Sequence, residues 1–240
     1  MPGGKGANQA VAAARMGADV RMIGCVGHDE FAEPALVYLR DEVELEVSAR
    51  DEPTGVAVIF VDSAGENAIV VAPGANRLVA GEGMDDADEA VLCQLEIPTE
   101  TVASVARRTR GFFAVNVAPA RPVAREVLER ADLVVANRYE LAALAEAPRG
   151  LVALTLGAEG AVLFEAGEEV ATARPPAVDA VDGTAAGDAF TACLVVSLLE
   201  GRPRDEALAR ACAAGALAAS RPGAQPSLPT AEEVDAAVAP

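Results

Sequence analysis

The sequence predicts an α/β protein in which helices cover both faces of a mostly parallel β-sheet. Short, continuously apolar segments alternate with amphipathic segments along most of the chain, as in parallel strands joined by crossover helices. Such strands read as continuous apolar runs because both faces of the sheet are buried. Hydrophobic residues make up 52% of the 240 positions, which is enough for one large core. We therefore predict a single domain over residues 1–240.

The elements of the first half follow from local patterns. A helix is predicted to end before Gly17, because glycine readily takes the left-handed conformation that closes a helix. Two β-rich segments around a polar turn at 62–67 predict a hairpin, residues 55–71, that projects as a small flap. In chain order the predictions are a helix at 7–16, a strand at 20–26, a helix at 31–40, hairpin strands at 55–61 and 68–71, a strand at 91–95, a helix at 99–108 and a strand at 112–115.

The second half continues the alternation and ends in helices. Gly167 lies between two β-rich segments and predicts a second hairpin. The late segments are long and rich in alanine, the strongest helix former. In chain order the predictions are a helix at 123–130, a strand at 133–136, a helix at 138–145, a strand at 151–156, hairpin strands at 161–164 and 170–173, and helices at 188–199, at 205–220 and from 231.

Composition excludes several classes of function. The formal net charge is −18, which argues against binding to nucleic acid or anionic lipid, because both attract basic surfaces. A small anionic ligand stays compatible, since local N–H groups outweigh a distant field. The longest apolar stretch, 189–199, is shorter than the roughly 20 residues that span a bilayer, and no targeting segment is visible, so we expect a cytoplasmic location. Four cysteines without CxxC spacing predict buried, reduced thiols.

The strongest local motif is Asp182-Gly-Thr-Ala-Ala-Gly-Asp188, which leads directly into an apolar helix. The first N–H groups of a helix lack intrahelical partners, and with the helix dipole they form a site for an anion such as a phosphoryl group. Asp188 at this point would accept a proton from an attacking hydroxyl, for which an ordinary carboxylate suffices in phosphoryl transfer. The spacing is equally compatible with Asp188 serving only as a helix cap.

A second glycine-rich turn, Gly3-Gly-Lys-Gly-Ala-Asn8-Gln, precedes the first helix. It offers backbone amides, the charge of Lys5 and the side chain of Asn8, which can both donate to and accept from sugar hydroxyls. The turn is not a Walker A loop, because no Gly-Lys-Ser/Thr follows at the required spacing. A tight turn with a helix cap explains the same residues without a ligand, and it is favoured when this motif is taken alone.

Three further segments lie at the ends of predicted strands, where open α/β folds bind ligands. Asn137 and Glu140 have the spacing of a capping box, which is the favoured interpretation; the alternative is that they help to hold Mg²⁺ and phosphate. Residues 155–160 form either a plain hairpin turn or a loop that meets a nucleotide. Glu96 is either solvated or hydrogen-bonded to a sugar hydroxyl, and the pattern does not decide between the two.

Taken together, these motifs resemble the ribokinase-like carbohydrate kinase family, and its ribokinase branch in particular. GGKGANQA at the start is similar to the family's first signature, and DGTAAGDAF at 182–190 is similar to its second. QLEIP, TLGAEG and GAQPS also match, so the resemblance spans nearly the whole chain. It implies a Rossmann-like three-layer α/β/α sandwich with a small β lid. It further implies ATP with Mg²⁺, a monovalent cation, usually K⁺, and phosphorylation of a primary sugar hydroxyl, the 5-hydroxyl of D-ribose in this branch.

The resemblance also implies roles for individual residues. Asp188 would be the base, and the anion hole would consist of Ala185, Ala186 and Gly187. The sugar would be bound by Gly4, Lys5, Gly6, Ala7, Asn8, Glu96 and Asp188. The nucleotide would be bound by Asn137, Thr155, Leu156, Gly157, Ala158, Glu159, Gly160 and Gly187, with Glu140 near the magnesium ion. The monovalent cation would be held, in part through backbone carbonyls, by Asp182, Thr184, Ala218, Arg221, Gly223 and Ser227.

The sequence also departs from the family pattern. Family members begin with a strand that carries an Asn-x-Asp sugar-binding segment and with lid strands, whereas this chain starts at the GGKGAN loop. The hairpin at 55–71 is therefore expected to expose a sheet edge. Gly183 replaces a usual threonine and Val117 a usual proline, and the stretches 84–93 and 137–155 are short.

Several alternatives to a complete sugar kinase of this branch stay open on the sequence. The departures suggest either a truncated reading frame or a degenerate, non-catalytic relative that still binds sugar or nucleotide. A kinase for another sugar or for a nucleoside is a further alternative, because the missing segment helps to select the substrate. A homodimer formed through the lid is also possible.

Overall fold

The computed structural model describes residues 1–61, 67–81 and 90–239. Most of the polar turn predicted at 62–67 and most of the short stretch at 84–93 lie outside these residues. The helices are α1 (Lys5–Arg15), α2 (Ala32–Leu36), α3 (Leu39–Glu42), α4 (Thr99–Arg108), α5 (Arg125–Arg130), α6 (Arg138–Ala142), α7 (Ala186–Leu199), α8 (Arg204–Ala219) and α9 (Ala231–Val238). The strands are β1 (Arg21–Gly27), β2 (Glu44–Arg50), β3 (Val56–Val61), β4 (Asn67–Ala72), β5 (Val91–Gln94), β6 (Phe113–Asn116), β7 (Leu133–Asn137), β8 (Leu151–Thr155), β9 (Ala161–Glu165) and β10 (Glu168–Ala173).

The main sheet has the spatial strand order β10-β9-β8-β7-β6-β5. Strands β5 to β8 are parallel neighbours, and helices α4, α5 and α6 form part of the connections between them. The hairpin β9–β10 extends the sheet with antiparallel pairs, at the position predicted around Gly167. The prediction of a mostly parallel central sheet is therefore confirmed.

Both faces of the sheet are buried, as β7 shows. Its residues Leu133 and Val135 belong to a core that they share with α1, α7 and α8. The alternate residues Val134 and Ala136 belong to a second core, which they share with α4 and α5. Because each neighbouring position meets a different apolar layer, the strand has no polar face. The three-layer α/β/α arrangement is confirmed.

Helix α7 is the central helix of the larger layer. Its residues from Asp188 to Ser197 are all buried, because it packs between α1 and α8. A helix that is apolar all round is expected at such a central place. The packing of α1 against α7 brings their two glycine-rich starts, the motifs at 3–9 and 182–188, into the same region of the molecule.

Two local predictions need correction. The helix predicted at 31–40 is two short helices, α2 and α3, and α2 has no buried residue. Helices this short depend on packing for stability, so an exposed segment does not hold one continuous helix. Strand β2, for which no prediction was made, pairs in parallel with β1. Strand β2 contains the charged residues Glu44, Glu46 and Arg50, so it does not form the continuous apolar run by which the other strands were predicted.

The hairpin β3–β4 stands apart from the main sheet. In the described part of the chain its strands pair only with each other, and large apolar side chains on it are exposed, among them Phe60 and Val70.

The four cysteines are buried and form no disulfide, as predicted. None of the helices in the described segments combines the length and apolar character needed to cross a bilayer.

Candidate active site

The first turn of α7 is open to a ligand. Ala185, the residue that starts the helix, has φ 62° and ψ 2°, and no side chain caps the helix. The left-handed conformation turns the chain sharply into the helix. A side chain added at Gly183 or Gly187 would meet no heavy atom within 4 Å. The space beside this helix start is therefore free, as an anion site requires. The N–H of Ala186 donates to the carbonyl of Gly183 at 3.3 Å.

The carboxylate of Asp188 lies at this helix start but does not cap the helix. It is only 5% exposed, and it accepts hydrogen bonds from Asn8 Nδ2 at 2.8 Å and from Gln9 Nε2 at 3.0 Å. The interpretation of Asp188 as a simple cap is therefore wrong. Burial raises the pKa of Asp188, while the charge of Lys5 and the amides of Asn8 and Gln9 lower that pKa and partly offset the effect of burial.

The glycine-rich turn before α1 contacts the strand-end carboxylate that the sequence singled out. The N–H of Lys5 donates to Glu96 Oε2 at 2.8 Å, and a Cβ added at Gly4 would lie 3.7 Å from the same oxygen. The structure thus brings the segment from Gly4 to Asn8 together with Glu96 and with Asp188. A cavity of about 870 Å³ is lined by this turn, by Glu96 and by residues of β1 and β5.

Three buried amide side chains at this site were not predicted. Gln9 and Asn116 join the hydrogen bonds of Asp188, and Gln94 accepts the N–H of Glu96 at 3.0 Å. The sequence did carry a signal for them, since each is a polar residue within or beside an apolar run. A buried polar side chain in such a place is expected to have a specific partner.

Asn137 and Glu140 form the capping box that the sequence favoured. Asn137 Oδ1 accepts the N–H groups of Tyr139 and Glu140 at 2.9 Å each, and Glu140 Oε2 accepts the N–H of Asn137 at 2.8 Å. The box starts α6 at the end of β7, on the sheet edge where the parallel strands end. Its remaining polar atoms, Asn137 Nδ2 and Glu140 Oε1, lie at that edge.

The loop at 155–160 lies beside the capping box. Thr155 pairs with Asn137 in the register of β7 and β8, so the loop starts next to α6. A short 3₁₀ turn, Gly157–Glu159, then reverses the chain into β9. The plain hairpin is thus present, and it is also adjacent to Asn137, as the alternative of a nucleotide loop requires.

Two of the residues that the resemblance implies for a monovalent cation contact Asp182. Its carboxylate accepts the N–H of Thr184 at 2.9 Å and the N–H of Gly223 at 2.9 Å. Hydrogen bonds from Thr184, first from its side chain, and from Gly223 lower the pKa of Asp182, so the group is ionised. The carbonyl of Ala218 accepts the N–H of Arg221, whose side chain turns away to Glu233. Ser227 follows in the same loop and donates to Ala224.

Fold and site together define a class of protein. A parallel α/β sheet, with a buried carboxylate at a helix start beside free space, is the arrangement of a phosphotransferase that acts on a small alcohol. Comparison with known proteins narrows this class. A family model described as "pfkB family carbohydrate kinase" matches residues 1–231 of the chain. The chain belongs to this family.

Individual relatives agree with the family assignment. A ribokinase of Bacillus subtilis is 37% identical, with 98% of this chain and 87% of the relative covered. A ribokinase of Schizosaccharomyces pombe is 35% identical, with 97% of this chain and 85% of the relative covered. Among solved structures, a ribokinase of Thermotoga maritima superposes with a TM-score of 0.86 at 32% identity, covering 98% and 87% of the two chains. An Arabidopsis thaliana ribokinase complexed with ribose and ATP gives 0.85 at 30% identity, covering 98% and 86%.

Proposed function

We propose that this carbohydrate kinase transfers the γ-phosphate of ATP to the 5-hydroxyl of D-ribose, giving D-ribose 5-phosphate and ADP. The observation that carries the proposal is the position of the Asp188 carboxylate. It is buried at the start of α7 and accepts hydrogen bonds from the side-chain amides of Asn8 and Gln9, in the glycine-rich motif at 3–9. Relatives named ribokinase match 97–98% of the chain at 35–37% identity, which supports ribose as the sugar. A non-catalytic remnant is not favoured, since both signature motifs converge on one site.

The sugar is bound by the turn from Gly4 to Asn8 and by Glu96. Asn8 Oδ1 is buried and has no partner among the described residues, so it is free to accept a sugar hydroxyl. Glu96 is held by the N–H of Lys5 through one oxygen, which leaves its other oxygen for a second hydroxyl. Such paired contacts to hydroxyls orient the sugar, because a wrongly placed sugar would leave buried polar groups without partners.

The chemical step follows from the position of Asp188. The sugar oxygen forms a bond to the γ-phosphorus of ATP, the bond from that phosphorus to the β,γ-bridging oxygen breaks, and ADP leaves. The proton of the hydroxyl passes to Asp188. Negative charge on the transferring phosphoryl group is stabilised by the N–H groups at Ala185, Ala186 and Gly187 and by the dipole of α7.

Nucleotide and magnesium are assigned to the sheet edge at the ends of β7 and β8. Asn137, Gly187 and the loop at 155–160 would contact ATP. Among the described residues, no cluster of three or more acidic, histidine or cysteine side chains could hold a metal ion. Glu140 alone therefore suits a magnesium ion that takes its other ligands from phosphate and water, where it would neutralise phosphate charge.

The loop around Asp182 suits a monovalent cation. Its donors are an ionised carboxylate, backbone carbonyls and the hydroxyl of Ser227, which are hard oxygen ligands without the several carboxylates of a calcium site. Asp182, Thr184, Ala218, Arg221, Gly223 and Ser227 would hold it. A bound K⁺ would stabilise the loop next to the anion hole.

We further propose one domain over residues 1–240, a cytoplasmic location and a homodimer through the exposed face of the β3–β4 hairpin.

A coupled assay of ADP release across a panel of sugars and nucleosides tests the proposed function. We expect ADP formation that depends on D-ribose, and a loss of at least about 10³-fold in turnover for Asp188→Asn, since the variant lacks the base. ATP binding by Asp188→Asn, measured by calorimetry, is the control for an intact fold. Full activity of Asp188→Asn, or ATP binding with no turnover on any acceptor, would overturn the proposal.

A further inference from the structure

A chain of buried hydrogen bonds runs from the centre of the main sheet to Asp188. Asn116, at the end of β6, donates from Nδ2 to the carbonyl of Val135 at 3.1 Å. Its Oδ1 accepts from Gln9 Nε2 at 3.1 Å, and the same nitrogen donates to Asp188 Oδ1 at 3.0 Å. Gln9 is 2% exposed and Asn116 is 6% exposed.

The direction of every bond in this chain is set by one backbone atom. The carbonyl of Val135 can only accept, so Asn116 must turn its NH₂ group toward it. Asn116 Oδ1 therefore faces Gln9, and Gln9 must donate to it from its own NH₂ group. The two hydrogens of Gln9 Nε2 therefore serve two acceptors, Asn116 and Asp188, and the opposite orientation of the Gln9 amide would place oxygen against oxygen at both ends.

We infer that Gln9 is a positioning residue that keeps the carboxylate of Asp188 ionised and fixed in orientation for proton transfer. This inference rests on the proposed function, in which Asp188 is the base. Gln9 donates to Asp188 Oδ1 and Asn8 donates to Oδ2, so a proton on Oδ1 would bring an O–H group against an N–H group of Gln9, which cannot turn away. Donors of this kind favour the ionised form of a carboxyl group.

The need for such donors comes from the burial of Asp188. Burial disfavours the charged form, and it is the largest influence on the pKa of Asp188, which it raises. Lys5 on α1 is the charged side chain that opposes it, and Asn8 and Gln9 oppose it as neutral donors. Arg210, on the neighbouring helix α8, donates instead to Ser197, farther along α7. Of the two donors, Gln9 is the one whose orientation is fixed by the sheet.

The test measures kcat/KM for ribose against pH for the full chain and three variants. Gln9→Met keeps the length of the side chain but removes the donor. For Gln9→Met we expect the acidic limb of the pH profile to move to higher pH by about one unit. On that limb kcat/KM should fall roughly tenfold, with little change in the KM for ATP. Asn116→Ala, which frees Gln9 to turn, is expected to shift the limb in the same direction by less. Ser197→Ala removes a buried hydrogen bond from the same helix and is expected to leave the profile unchanged.

The outcomes separate this inference from the proposed function. If the parent protein is active and the acidic limb of its pH profile lies at the same pH as that of Gln9→Met, the inferred role of Gln9 is overturned. The proposed function is then unaffected. If the parent protein itself makes no ADP with ribose, the proposed function fails, and the ionisation of Asp188 is then read from its ¹³C carboxyl signal, identified by its loss in Asp188→Asn. An unchanged titration of that signal in Gln9→Met would again overturn the inference. Should Gln9→Met not fold, Gln9→Asn, whose shorter amide cannot reach both acceptors, gives the same readouts.

Discussion

Asp188 combines a functional need with a cost in stability. The base must be ionised to accept a proton, yet its site is almost closed to water, which disfavours charge. The pKa of Asp188 is therefore raised above its ordinary value of 3.8 in the folded protein. A group with a raised folded-state pKa stabilises the fold most below its unfolded-state value, and that contribution is lost as pH rises through the folded-state value.

This linkage predicts that Asp188→Asn is more stable than the parent protein at neutral pH. The neutral amide removes the buried charge, and Asn8 can rotate its side-chain amide to accept from it, because Asn8 Oδ1 has no partner in the described structure. We expect the Tm at pH 7 to rise by a few degrees, since ~1 kcal/mol corresponds to roughly 2–4 °C in a protein of this size. Scanning calorimetry between pH 4 and pH 8 measures the effect.

The pH dependence provides the control for this prediction. The difference in Tm between Asp188→Asn and the parent protein should shrink as the pH falls toward 3.8, where the parent carboxyl is also neutral. A stabilisation that is constant with pH would arise from packing rather than from charge. A variant that is less stable than the parent protein at pH 7 would contradict the prediction.

At the scale of single elements, the loop at 155–160 depends on glycine at one position more than at the other. Gly160 has φ 103° and ψ −136°, a conformation that side chains do not tolerate, and a Cβ there would lie 2.0 Å from the carbonyl of Ala173. Gly157 has φ 61°, in the left-handed region, and a Cβ there would meet open space.

We therefore predict different effects for two alanine variants of this loop. Gly160→Ala must displace β10 and is expected to lose about 3 kcal/mol or more, together with affinity for ATP. Gly157→Ala is expected to lose only ~1 kcal/mol, the cost of a left-handed alanine. Urea unfolding and calorimetric titration with ATP measure both. Equal losses for the two variants would show that the close approach of Gly160 to β10 is unimportant.

The last three helices are joined by a buried cation. Arg210 on α8 is 1% exposed and donates to Ser197 on α7 at 2.6 Å and to Asp235 on α9 at 2.7 Å. The side chain of Asp235 is 50% exposed, so water can solvate it if Arg210 is removed. The contribution of Arg210 thus comes from its buried hydrogen bond to Ser197 more than from the ion pair with Asp235.

Replacing Arg210 tests this assignment. Arg210→Met retains the apolar stem and is expected to lower the free energy of unfolding by about 2–3 kcal/mol, because one buried and one part-buried hydrogen bond of a charged group are lost. Asp235→Asn retains an acceptor at a half-exposed site and is expected to cost less than about 1 kcal/mol. Urea midpoints at constant m-value give both numbers. An unchanged midpoint for Arg210→Met would show that an apolar contact replaces the guanidinium without loss.

Elements buried on both faces were predictable from the sequence, and half-exposed ones were less so. The apolar runs of β5 to β8 marked those strands to within two residues, since burial on both sides leaves one consistent pattern. Strand β2 alternates charged and apolar positions and was missed, and α2 has too little burial to extend the helix predicted there. The errors fall where tertiary packing, rather than local pattern, decides the structure.

At the scale of the whole molecule, the sequence located the parts of the site but not their bonds. The turn at 3–9, Glu96 and the motif at 182–188 were each ambiguous alone, because a helix cap explains the same residue types. Only the fold shows that Asn8 and Gln9 donate to Asp188 across more than half the chain. Gln9 and Asn116 could not be assigned beforehand, since their role depends on a backbone carbonyl of β7.

The charge of the molecule offers a last test, which separates general screening from a specific cation site. With a formal net charge of −18, any salt should raise the Tm by screening repulsion. A cation bound at Asp182 adds a further stabilisation for K⁺ over choline at equal ionic strength, about 1.4 kcal/mol at ten times its Kd, or roughly 3–6 °C.

Two charge-matched variants make the separation, since each removes one negative charge. Asp182→Asn is expected to abolish the difference between K⁺ and choline, because it removes the ionised carboxylate that also holds the N–H groups of Thr184 and Gly223. Asp179→Asn lies at an exposed position outside that set and should keep the full difference. Thermal melts of the three proteins in KCl and choline chloride measure it. Equal Tm values in the two salts for the parent protein would contradict the cation site, and loss of the difference in both variants would assign it to net charge alone.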